Sequence, residues 1–179
     1  MTPLPRKQLF HVKTAYKFLL IVVFGILIFL AARLEVSNAG VVEAVLFLYS
    51  TFKSYLYFKQ LFNRVKETAN SEFHYLEIFK FIALNTLLFI ISYAIDYICL
   101  YEIDSSSFAG ISQQGMFVSR LITFFYFSVA TFSTAGYGDI TPSSTTAQLL
   151  TSAEMLLAWG LTILVVANFS HIRESIKNS

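Results

Sequence analysis

Charge is what this chain lacks most. Asp, Glu, Lys and Arg together make up 13% of its 179 residues, roughly half the share of an ordinary soluble domain, while hydrophobic residues reach 56%. That shortage excludes a conventional water-soluble globule and points to lipid as the main solvent. The single cysteine, Cys99, excludes an intrachain disulfide, and its place in an apolar segment assigns it to packing rather than reactivity. Basic residues are spread along the chain and the net charge is only +2, which excludes a nucleic-acid partner. His11, His74 and His171 have no ligand-like spacing, so a centre of protein-held metal is not expected. No nucleophile, base and orienting group occur in a combination that would make an enzyme. Internal repeats are absent too, and without them an alternating-access transporter has no basis in the sequence.

What is present is a set of apolar segments. Ala15 to Ala32, Val41 to Phe62, Phe81 to Tyr101 and Ala147 to Phe169 each hold enough apolar residues to cross about 30 Å of hydrocarbon as a helix. The second is interrupted by Glu43, Ser50, Thr51, Lys53 and Ser54, a pattern that suits a helix packed against others. A fifth run, Leu121 to Phe132, is too short to span and reads as a re-entrant helix. Ten of the 13 Lys and Arg residues lie before or at the start of the first span, flank the link between the second and third, or follow the fourth. The positive-inside rule makes that side cytoplasmic, so both termini are expected inside a multi-pass protein of the cell membrane. The Ser105 to Ser107 cluster reads as a flexible connector in the outer loop.

The stretch from Phe132 to Pro142, FSTAGYGDITP, then follows the short run and hangs from the outer face. Non-helical backbone at membrane depth is tolerated only where it is buried in protein or lines a wet cavity. Gly136 and Gly138 have no Cβ, so they can take the positive-φ conformations that turn successive carbonyls toward one axis. Such oxygens can replace the water around a cation, but one chain supplies only one side of the cage. The re-entrant helix adds the negative end of its dipole near Phe132.

Thr134-Ala135-Gly136-Tyr137-Gly138-Asp139 resembles the selectivity filter of tetrameric potassium channels. The resemblance extends over roughly Phe79 to Ser170, where outer helix, outer loop, pore helix, filter and inner helix follow in that family's order. It implies an all-α membrane protein with four transmembrane helices, a re-entrant pore helix and a filter loop, assembled as a homotetramer in the lipid bilayer. Together with the apolar spans and the positive-inside rule, the expected organisation is a cytoplasmic N-terminus (1–14), a two-helix peripheral segment with a cytoplasmic link (15–75), a pore domain (76–170) and a cytoplasmic tail (171–179). Within the pore domain the outer helix is placed at 79–101, the outer loop at 102–118, the pore helix at 119–133, the filter at 134–139 and the inner helix at 147–169.

The implied function is passive, selective conduction of K+, bound in succession by Thr134, Ala135, Gly136 and Tyr137, with Gly138 completing the loop. Permeant K+ is the only cofactor implied. Tyr126 and Phe127 take the positions of filter-bracing aromatics, with Tyr126 in reach of Asp139. Gly160 lies near a common hinge position of the inner helix. Thr162 and Val166 share a face that lines the cavity, or else serve packing. Ala135 stands where the family usually has valine or isoleucine, so a less selective monovalent cation channel is one alternative. A non-conducting accessory subunit of a larger potassium channel is another. The segment from Met1 to Tyr75 resembles no sensor: Lys53 and Lys59 are six apart and form no arginine ladder, so strong voltage sensing is not expected, and control falls to an unknown regulatory subunit or lipid. Glu154 is read as a hydrogen-bonded structural acid behind the filter, with Thr131 or Ser133 as partner; a pore-facing charge is the alternative. Lys53 and Asp96 are read as polar interface groups whose depths differ by about 10 Å, too far apart to pair with each other.

Overall fold

The structure, a computed structural model, describes residues 39–68, 75–112 and 116–167. The expected first span, Ala15 to Ala32, lies outside the described residues, as do the N-terminal segment 1–14 and the tail 171–179. Four α-helices follow in order: α1 (Ala39–Thr68), α2 (Tyr75–Ile103), α3 (Phe117–Phe132) and α4 (Thr145–Ala167). Two stretches, Lys80–Ile103 in α2 and Thr145–Ala167 in α4, are long and apolar enough to cross a membrane. The expected second span lies within α1, whose 30 residues make about 45 Å of helix. With 16 residues, α3 is too short to span.

The ends of these helices follow from local chemistry. α4 starts at Thr145, two residues before the expected Ala147, because Ser144 Oγ accepts the amide proton of Ala147 at 3.1 Å and caps the first turn. α2 runs to Ile103 and is followed at once by a 3-10 turn, Ser105–Ser107. Asp104 caps that turn by accepting from the Ser106 amide at 2.9 Å and the Ser106 hydroxyl at 2.7 Å. The serine cluster expected to be a flexible connector is therefore an ordered turn. Ser107 is fully buried, and its carbonyl accepts from the amide of Ser143 at 2.8 Å. A short antiparallel pairing, Phe108–Ala109 (β1) with Thr141–Pro142 (β2), adds a small β element to the all-helical expectation.

The core draws on all four helices, and its part between α2 and α3 is largely aromatic. Phe108, packed at the start of the outer loop, makes edge-on contacts with Phe124, Phe127 and Tyr97 at centroid distances of 5.1, 5.7 and 5.6 Å. Each such pair contributes about 0.5–1.5 kcal/mol beyond its buried area. Tyr97 is itself fully buried and also faces Phe127 at 5.1 Å.

Against expectation, Lys53 and Asp96 form a buried ion pair. Depths counted from the span ends put them too far apart, but the helices pack in a different register. Ser50 donates to Asp96 at 2.6 Å, Ser54 meets the Tyr93 hydroxyl at 2.8 Å, and the Tyr57 ring packs tilted on Phe89 at 4.8 Å. In that register Lys53 lies about one turn from Asp96, a gap its flexible stem bridges. Its ammonium also lies 5.2 Å from the centre of the Tyr93 ring. α1 is thereby fastened to α2 by a charge pair, two serine hydroxyls and a tilted ring pair.

Candidate functional site

The loop after α3 begins with a helix stop. The amide of Thr134 bonds the carbonyl of Thr131 at 3.0 Å, and the amide of Ala135 bonds the carbonyl of Ala130 at 2.9 Å. This pair is the Schellman arrangement, which requires a left-handed residue just past the helix end. That residue is Thr134, with φ of +56°, the only non-glycine with positive φ among the described residues. Glycine usually fills such a place. A β-branched residue there carries a strain on the order of 1–2 kcal/mol, which the two closing hydrogen bonds offset.

Gly136 and Gly138 continue the pattern with φ of +56° and +78°. Positive φ therefore recurs at every second residue. In an ordinary strand successive carbonyls point to opposite sides, and changing the sign of φ at alternate residues undoes that alternation. Glycine meets the demand without steric cost at the latter two positions. A Cβ added at either would meet nothing within 4 Å in the single chain, so backbone angle and not space restricts them.

All residues from Ser133 to Asp139 are exposed in the single chain, Tyr137 to 70%. The loop is nevertheless held from one side. Tyr126, on α3, donates from its hydroxyl to Asp139 Oδ2 at 2.8 Å, and its ring lies parallel to that of Tyr137 at 6.0 Å. Phe127 takes another course. One residue further round the helix, it is buried among Tyr97 and Phe108 and belongs to the core. Tyr126 alone of the two touches the loop through its ring.

The outer loop holds the other end. Gly110, with φ of +86°, lies so close to the loop backbone that a Cβ there would be 1.9 Å from the carbonyl oxygen of Asp139. The β1 and β2 pairing fixes the same approach from Phe108 and Ala109 to Pro142 and Thr141. Nothing in the sequence pattern singles out Gly110. Its only signal is a glycine two residues after a loop aromatic, a pattern that many ordinary turns share.

Glu154 is fully buried behind the loop. Its partners are not Thr131 or Ser133. The Tyr97 hydroxyl donates to Glu154 Oε2, and Ser128 Oγ lies 2.6 Å from Glu154 Oε1. Ser133 Oγ instead donates to the Ala130 carbonyl at 3.2 Å. Spacing in sequence placed Glu154 at the end of α3, but the packed helices place it about one turn above. Nothing in the sequence set Ser128 apart from Ser119, Thr123 and Thr131 in the same helix.

On α4, the helix continues unbroken through Gly160, whose bare face packs on Phe58 of α1; a Cβ there would be 3.2 Å from the Phe58 ring. Thr162 turns its hydroxyl back to the Ala158 carbonyl at 2.9 Å, and Val166 is exposed. At the start of α4, Thr146 donates to Glu43 of α1 at 2.8 Å, and Arg120 of α3 pairs with Glu102 of α2 at 2.8 Å.

The family described as "Ion channel" matches residues 81–174, more than half of the chain and all of the elements that hold the loop. Over 54 residues the chain is 44% identical to two-pore potassium channel 4 of Arabidopsis thaliana. That similarity covers 30% of this chain and 17% of the relative, so the chain accounts for a small part of the relative's length. No solved structure matches.

Proposed function

The chain belongs to the ion-channel family with the pore of potassium channels, and from that premise we propose that it is the subunit of a homotetrameric channel that conducts K+ passively and selectively. Four copies would surround one axis, each facing it with the residues that the single chain leaves exposed. The carbonyls of Thr134, Ala135, Gly136 and Tyr137, with the Thr134 hydroxyl, would form stacked rings that replace the water of the ion. A bare ion in a low-dielectric medium faces a penalty on the order of tens of kcal/mol, so only several oxygens acting together can offset it. The observation that carries this reading is the positive φ at Thr134, Gly136 and Gly138. No ordinary turn needs three such residues at alternate positions.

In this arrangement α2 and α4 are the outer and inner helices of the pore, and α3 directs its C-terminal dipole toward a central cavity. Gly160, Thr162 and Val166 then lie along the inner helix below the filter. α1 crosses the membrane as a peripheral helix, and both termini are cytoplasmic. A regulatory subunit or lipid would supply control from outside the pore.

Ala135 favours one second reading, a less selective monovalent cation channel, because its methyl group fills little space behind the carbonyl it carries. Reconstituted protein under opposed, equal K+ and Na+ gradients separates the two. A reversal potential near that of K+ supports the proposal, and one near zero supports the less selective pore. Tetramers that pass neither ion would leave the accessory-subunit reading in its place.

A further inference from the structure

If Glu154 were ionised, Ser128 would have two acceptors and one proton. Ser128 Oγ is 2.6 Å from Glu154 Oε1 and 2.9 Å from the carbonyl oxygen of Ile90. A serine hydroxyl carries one proton, and both neighbours would be acceptors if the carboxyl were ionised. One of the two contacts would then hold no proton. With a proton on Oε1 every contact is filled: Glu154 donates to Ser128, Ser128 donates to the Ile90 carbonyl, and Tyr97 donates to Oε2.

Charge points the same way. Lys53, the buried lysine, is committed to Asp96, and Arg120 is committed to Glu102. Among the described residues no basic side chain forms an ion pair with Glu154. A fully buried carboxylate without a counterion is costly, whereas a neutral acid whose own two contacts and the Ser128–Ile90 contact are all filled is not.

The position of this node gives it a use. Tyr97 and Ile90 belong to α2, Ser128 to α3 and Glu154 to α4, so one carboxyl joins both long apolar helices to the helix that carries the filter. Ser128 lies about one turn before the Schellman stop that sets Thr134. We propose that Glu154 is a positioning residue for the filter and that it acts as a neutral acid, donating to Ser128 while accepting from Tyr97. The proposal rests on the conduction role assigned above to residues 134–139.

The test compares wild type, E154Q and E154A as purified tetramers in liposomes. A glutamine amide offers the same donor and acceptor, so E154Q keeps the K+/Na+ permeability ratio within about twofold of wild type, whereas E154A, which removes the node, lowers it by about tenfold or more. Infrared spectra provide a readout that needs no conduction: wild type shows a protonated-carboxyl carbonyl band that is missing from E154Q. The proposal is overturned if that band is the same in both, if E154Q is as impaired as E154A, or if E154A keeps the wild-type ratio. If E154A does not assemble, E154Q and the infrared band decide. A non-selective wild type would defeat the conduction reading alone, because the band still reports the proton on Glu154.

Discussion

Replacing Gly110 by alanine tests how the Asp139 end of the proposed filter is held. The added Cβ would be 1.9 Å from the Asp139 carbonyl oxygen, 3.0 Å from its carbonyl carbon and 3.3 Å from the Ile140 Cα. The first distance must open by more than about 1 Å to reach ordinary contact. Since the obstacle is backbone, no side chain can rotate away. Alanine at φ of +86° adds strain on the order of 1–2 kcal/mol, and overpacking adds about 1–3 kcal/mol. The loss of freedom in the unfolded chain returns only about 0.4–1 kcal/mol, so the net cost is about 1–5 kcal/mol. Asp139 must move or the outer loop must detach. Either way the residue after Gly138 loses the support that Tyr126 and Gly110 give it from two sides.

We expect G110A to lower the thermal stability of the reconstituted tetramer and to reduce its K+/Na+ permeability ratio. The exposed neighbour Ala109 is the control, since A109S adds an atom in the same strand without the positive φ or the close approach. Stability and reversal potential are read on the same preparations. If G110A matches A109S in both, the outer loop does not brace the filter and the reasoning fails.

G136A meets no atom within 4 Å, yet its φ of +56° opposes an L side chain, so tetramers should form while selective conduction is lost; a selective G136A channel by reversal potential would contradict the carbonyl-ring mechanism. Breaking the buried pair with K53M or D96L alone should cost about 3–5 kcal/mol by thermal denaturation, while the double variant recovers most of it; a double variant that loses the sum of the two single losses would mean the pair is not coupled. Asp104 should stabilise the outer turn in a pH-dependent way. The Ser106 hydroxyl, the Ser106 amide and Ser107 hold its carboxyl below the ordinary 3.8. A depressed folded value means that the stabilisation is complete above the ordinary range and is lost as the pH falls through the folded value. D104N should therefore flatten the acid limb of a melting profile, and an unchanged limb would refute the assignment.

Some features were legible because they depend only on local chemistry. The shortage of charge, the apolar lengths, the short run before the filter and the paired glycines all state a requirement that adjacent residues impose on one another. The reach of Tyr126 to Asp139 also followed, since helix and loop are joined directly. Other features were misread for a common reason. Lys53 and Asp96 were judged from the ends of their spans, Glu154 was assigned partners one turn too low, Phe127 was given to the filter, and the serine turn was taken for slack. Each of these depends on the register or rotation of one element against another.

The sequence by itself determined that this chain is a membrane protein with a filter-like loop between a short helix and a long one, because hydropathy and backbone freedom are properties of consecutive residues. Only the tertiary structure decided which side chains meet. Gly110 on Asp139, Ser128 on Glu154 and Lys53 on Asp96 join residues far apart in the chain. Their encounter is set by how apolar helices interlock, and a helix that is apolar nearly all round does not state in its own sequence which face it turns to its neighbour.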